Sequence, residues 1–98
     1  MIDHIVLIRP RAEIGADAIS SLKTALAALP TSIAGIVSYA FGSNSSPEAL
    51  DQGYALGFSF GFDSAASRDR YLIHPAHVAV VPLVQAVAEN VLVFDLET

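Results

Sequence analysis

Two kinds of proton-trading side chain fall inside one seven-residue stretch, "YLIHPAH", which carries Tyr71, His74 and His77. A free phenol titrates near ~10 and a free imidazole near ~6.5. A neutral imidazole that accepts the phenol's hydrogen bond can share its proton, so Tyr71 and His77 together would serve as a general base near neutral pH. Val78, Val80, Phe58 and Phe60 supply apolar surroundings. Such surroundings suit carbanion or enolate chemistry and disfavour a free phenolate. The same residues also have a structural reading. A tyrosine near a helix end commonly buries its ring and leaves the hydroxyl at the rim, and a histidine beside a proline can cap backbone groups. His74 and His77 as a metal pair offer two ligands with no suitably spaced carboxylate and without the glutamate of zinc hydrolases, so no metal is expected.

The geometry of the pair depends on how the chain turns at Pro75. On one continuous helix, residues six apart point roughly 120° away from each other. The residue before a proline avoids the helical region, so a helix over Ser64–Leu72 ends near His74 and a second helix follows. Pro75 then stands at the first position of that helix with Pro82 kinking it, or Pro82 itself lies near the start; the sequence leaves both open. Val78, Val81, Val84 and Val87 offer a buried seam. A turn at "HPAH" would bring the Tyr71 hydroxyl within about 2.6–3.2 Å of a His77 ring nitrogen, or to one bridging water.

The remaining elements read as strands around one helix. "IDHIVLIRP" gives a first strand, Ile2 to Arg9, which places His4, Val6 and Ile8 on one face. Ile14, Ala18, Ile19, Leu22, Leu26 and Leu29 recur at helical spacing over Ala12–Leu29, and Pro30 ends that helix. "IAGIVSYAFG" is a second strand, and "SNSSPEALDQG" a turn-rich loop. In "GYALGFSFGF" the residues Tyr54, Leu56, Phe58, Phe60 and Phe62 alternate with Ala55, Gly57, Ser59 and Gly61. The large face must pack on helices. Glycines weaken a strand unless something approaches closely, so the small face suits a second copy of the chain. "VLVFDLE" closes a β-α-β-β-α-β order, an α+β ferredoxin-like antiparallel sheet with helices on one face.

Composition narrows the function classes. Ninety-eight residues make one domain. Hydrophobic residues are 53% and charged residues 15%, and so apolar a small chain is expected to share surface with another copy. A net charge of −5, with five scattered basic residues, argues against nucleic acid. No apolar run is long and unbroken enough for a membrane span, the N-terminus lacks a signal core, and cysteine is absent, so a cytoplasmic setting is expected.

"HIVLIR", the segment from "GSNSSPEALDQGY" through "HPAHVAVV", and "VLVFDLE" together resemble the stress-responsive A/B-barrel (Dabb) family across nearly the whole chain. The resemblance implies a dimeric α+β barrel, two ferredoxin-like protomers joined sheet to sheet. The family includes stress proteins of uncertain biochemistry and a polyketide cyclase of the olivetolic acid type. In that type of member the tyrosine and second histidine of Y-x-x-HPAH are the catalytic pair, matching Tyr71 and His77. The first-strand histidine matches His4, and the first histidine of the motif matches His74. Where the cyclase carries a further pocket histidine, this chain has Leu56. The expectation is a cofactor-free homodimer with Tyr71 and His77 catalytic. His4, Tyr54, Leu56, Phe58 and His74 would line a pocket for a small apolar carbonyl or polyketide-like compound, with cyclase-like lyase or isomerase chemistry. The alternative is a non-catalytic stress or ligand-binding dimer whose HPAH motif is structural.

Overall fold

A computed structural model describes all of residues 1–98. The chain runs β1 (Ile2–Pro10), α1 (Ala16–Ser32), β2 (Ile36–Ser43), β3 (Leu56–Phe62), α2 (Ala65–Ile73), α3 (Pro75–Val87) and β4 (Ala88–Glu97). The strands form one antiparallel sheet in the order β2-β3-β1-β4. This is the ferredoxin-like α+β arrangement that the alternation and spacing imply. No helix is long and apolar enough to cross a membrane.

Strand register fixes which side chains face the helices. Ile2, His4, Val6 and Ile8 of β1 stand opposite Phe62, Phe60, Phe58 and Leu56 of β3, and paired residues share a face. The three phenylalanines and these four β1 residues are buried. Leu22, Leu26 and Leu29, at steps of four and three, bring α1 onto them, and Ile33 continues the stripe. Each such side chain, fully removed from water, contributes about 1.5–3 kcal/mol.

Several boundaries differ from the pattern-based reading, each for a local reason. α1 begins at Ala16 rather than Ala12, because a turn in which the Ile14 amide donates to the Arg11 carbonyl precedes it. Pro30 does not stop α1, which continues to Ser32. A proline deprives only the Leu26 carbonyl of its partner, and the turn beyond it carries the chain to buried Ile33. β2 starts later than expected, since Gly35 turns at φ 95°. Pro75 opens α3 and Pro82 lies within it, which decides between the two readings of that helix. The buried seam of α3 is Val80 and Val87 with half-buried Ala76 and Val84, whereas Val78 is exposed. A strict three-residue step drifts around a helix of 3.6 residues per turn, so Val78 swings outward.

The small residues of β3 have an explanation within the chain. A side chain at Gly57 would meet Leu7 Cδ2 at 3.2 Å, and one at Gly61 would strike the Ser38 hydroxyl. Neighbouring strands therefore use that space before any second copy can. Gly35 is more constrained. Its φ is left-handed, and an added Cβ would stand 2.5 Å from Ser67 Cβ and Oγ, where buried Ser67 donates to Asp63. Gly35→Ala is expected to cost about 1–3 kcal/mol, read as a lowered urea midpoint; an unchanged midpoint would show that the turn relaxes freely.

Candidate functional site

The break between α2 and α3 builds the site. Ser64 caps α2, its hydroxyl accepting from the Ser67 amide at 3.1 Å. At the other end His74 is extended (φ −68°, ψ 135°), and α3 restarts at Pro75. His74 serves this junction: its Nδ1 accepts the Ala76 amide at 3.0 Å, an N-cap for α3. His77 then folds back across Tyr71, with ring centroids 4.2 Å apart and planes inclined by 39°. Its Nδ1 donates to the Leu72 carbonyl at 3.1 Å. Because a carbonyl only accepts, the neutral ring carries its proton on Nδ1 and leaves Nε2 as the acceptor. His74→Ala should cost about 1 kcal/mol of stability, seen as a lower thermal midpoint. A variant as stable as the parent would remove His74 from this capping role.

The expected direct hydrogen bond between the two side chains is absent; the rings pack instead. No buried side-chain nitrogen or oxygen lacks a partner. The Tyr71 hydroxyl and the Nε2 atoms of His77 and His4 have no protein partner, so each must touch space a water can reach. Tyr71 as a whole is nevertheless 1% exposed and His4 5%. Burial pushes the Tyr71 phenol well above its ordinary value. Burial also pushes His77 below the ordinary imidazole value; the Leu72 carbonyl opposes this and the nearby His4 adds to it. Both groups are therefore neutral at pH 7, with Tyr71 a donor and His77 the base. This replaces the expectation of a phenol that shares its proton with the imidazole.

His4 joins them from β1. Its ring stands edge-on to Tyr71 at 5.6 Å and to Phe62 at 6.2 Å. His4 Nδ1 meets Asp95 Oδ1 at 2.6 Å, and Arg68 donates to Asp95 Oδ2 at 2.8 Å. Burial raises the Asp95 carboxyl, but the His4 and Arg68 hydrogen bonds and charges outweigh it and hold the group low. Asp95 and Arg68 were missed in the sequence. Their signal was the alternation Val91, Val93, Asp95, which register places beside Ile8, Val6 and His4.

The other sequence candidates lie apart. Phe58 is one row along the sheet and packs against Phe41 and Phe60. Leu56 pairs with Ile8, four residues from Phe60 and so roughly 13 Å along the strand. Tyr54 precedes β3 and lies under the Arg9 guanidinium at 4.9 Å. Tyr54 and Leu56 instead border a hollow of about 450 Å³ with Leu7, Asn44, Leu50 and Leu92. Neither Tyr71 nor His77 lines this hollow or those of about 580, 390 and 210 Å³ elsewhere on the surface. Around Tyr71 itself the rings of His4, Phe60, Phe62 and His77 form a packed aromatic cluster. What remains open is a strip beside it. Val91 and Val93 share the helix-facing side of the sheet yet are 37% and 54% exposed, because the helix layer stops short of β4. No group of three or more His, Cys, Asp or Glu is placed to hold a metal.

A four-stranded ferredoxin-like sheet with a Tyr–His cluster at a broken helix defines an α+β protein of the A/B-barrel class. The chain belongs to the Stress Responsive A/B Barrel Domain (Dabb) family, whose model matches residues 2–98. It is similar to a solved Arabidopsis thaliana protein at 28% identity, covering 100% of this chain and 95% of that one, with a TM-score of 0.92. A dimeric ferredoxin-like protein of unknown function from Jannaschia sp. CCS1 is 29% identical over 99% of this chain and 98% of its own, with a TM-score of 0.89. A hydroxynitrile lyase from Passiflora edulis shares the fold at 16% identity, 97% and 90% coverage and a TM-score of 0.88. No curated protein sequence matches the chain.

Proposed function

We propose that the chain is a cytoplasmic, cofactor-free homodimer that binds a small apolar carbonyl compound against Tyr71, His77 and the open strip of β4, and moves a proton on it. The observation that carries this reading is the partnerless, neutral Tyr71 hydroxyl beside a His77 whose Nδ1 is committed to Leu72. His77 Nε2 would take a proton from the carbon next to the carbonyl. The Tyr71 hydroxyl would donate a hydrogen bond to the oxygen as charge gathers there. Return of the proton to a different carbon of the enolate system, or to the opposite face of the same one, gives isomerisation. Attack of the same carbon on a second carbonyl, whose oxygen takes up the proton, gives an aldol-type ring closure. Leu56, remote from the pair, adds no third imidazole.

Homodimerisation is supported by the uncovered side of the sheet. Leu92, Phe94 and Leu96 on that side are 47%, 58% and 44% exposed beside Leu7, Ile5 and Asp3 of β1, and several solved relatives are described as dimeric. The packed cluster around Tyr71 favours a second reading, a non-catalytic ligand-binding dimer in which the motif serves structure. Deuterium exchange at the α-carbon of acetophenone in heavy water separates the two. The proposed reading expects exchange well above buffer, and exchange at the buffer rate across a panel of small aryl ketones would overturn it.

A further inference from the structure

Resting on that reading, we propose that Asp95 and Arg68 are positioning residues that hold His4 as a second hydrogen-bond acceptor, so that the site selects a carbonyl compound bearing a hydroxyl group. The Asp95 carboxylate occupies His4 Nδ1 at 2.6 Å, and only a proton on Nδ1 makes that contact favourable. The lone pair of the neutral ring is thereby fixed on Nε2, the atom with no protein partner. Arg68 reaches from α2 to the other carboxylate oxygen and also donates to Asp69 at 2.9 Å. This ties Asp95 of β4 to the helix that carries Tyr71. His4 is met by Asp95 from β4 and Tyr71 from α2, with Arg68 on the far oxygen of Asp95 and His77 from α3 packed against Tyr71. Together they present one donor, the Tyr71 hydroxyl, and two acceptors, His77 Nε2 and His4 Nε2. A ketone satisfies only the first. A hydroxy ketone satisfies the Tyr71 donor with its carbonyl and His4 Nε2 with its hydroxyl, leaving His77 for the carbon-bound proton.

The test compares phenacyl alcohol with acetophenone in the full chain, alongside nitrogen NMR of the His4 ring. One hydrogen bond of about 1.4 kcal/mol corresponds to a tenfold preference, so the parent should bind phenacyl alcohol about tenfold more tightly. Its His4 should be the Nδ1–H tautomer. Asp95→Asn should erase the preference and release the tautomer, and Arg68→Gln should weaken both. The ring-nitrogen tautomer is a signature that a purely structural ion pair would not move. A parent His4 protonated on Nε2, or a preference unchanged in a folded Asp95→Asn chain, overturns the proposal. The NMR arm needs no turnover, so absent proton exchange would count against the carbonyl chemistry and leave the His4 assignment to be judged by the ring nitrogens.

Discussion

His77→Ala should reduce α-proton exchange on acetophenone by about 10²–10⁴-fold, the usual contribution of a positioned general base. Tyr71→Phe should reduce it by about 10²–10³-fold, as for loss of one donor at a developing oxyanion. The two variants differ in what they cost the fold. Tyr71→Phe keeps a buried ring among Phe60, Phe62 and His4 and removes a hydroxyl that has no protein partner, so stability should hold while exchange falls. His77→Ala leaves the Leu72 carbonyl to water at a helix end, which is tolerable at a half-exposed position. Melting curves recorded beside the exchange rates separate chemistry from unfolding. A Tyr71→Phe chain that is folded and still exchanges at the parent rate would move the site away from this pair.

The second large effect concerns assembly. Phe94→Arg should convert a dimer into a monomer at micromolar concentration. Register places Phe94 opposite Ile5 on the side of the sheet that no helix covers, and two-fold symmetry would present the change twice per interface. A buried charge without a partner costs about 3–5 kcal/mol. The side chain is 58% exposed in the single chain, so the fold itself should tolerate the substitution. Light scattering should give the parent twice the 10.3 kDa of one chain and the variant once that mass. A parent that scatters as a single chain would refute the dimer, and a variant that stays dimeric would place the interface elsewhere.

How far the sequence could be read depended on whether an element's neighbours were needed to read it. Phe58, Phe60 and Phe62 announced a one-sided strand by alternation alone, and β3 buries all three. The break at His74–Pro75 followed from the proline's steric demand, and it does bring His77 onto Tyr71. Tyr54 and Leu56 fitted the same alternation yet lie away from Tyr71 and His77, because distance along a strand is invisible until the partner register is known. Pro30 was read as a stop on local grounds, whereas the turn that follows it leads to buried Ile33. Asp95 could not be assigned to His4 without knowing that β4 pairs with β1, since 91 residues separate them in the chain. The tautomer of His77 was equally hidden, because it depends on the Leu72 carbonyl left free by the helix break.

The measurement that bears most directly on the central claim is the pH profile of α-proton exchange in the parent chain. A base acts when unprotonated, and burial holds His77 below the ordinary imidazole value of ~6.5. The rate should therefore climb through a midpoint below ~6.5 and reach its plateau by about pH 7. Tyr71 is raised above its ordinary ~10, so the donor stays protonated and the plateau should continue to about pH 9–10. A rate that falls as pH rises through 6–7 would require an imidazolium acid in place of a neutral base and would contradict the account.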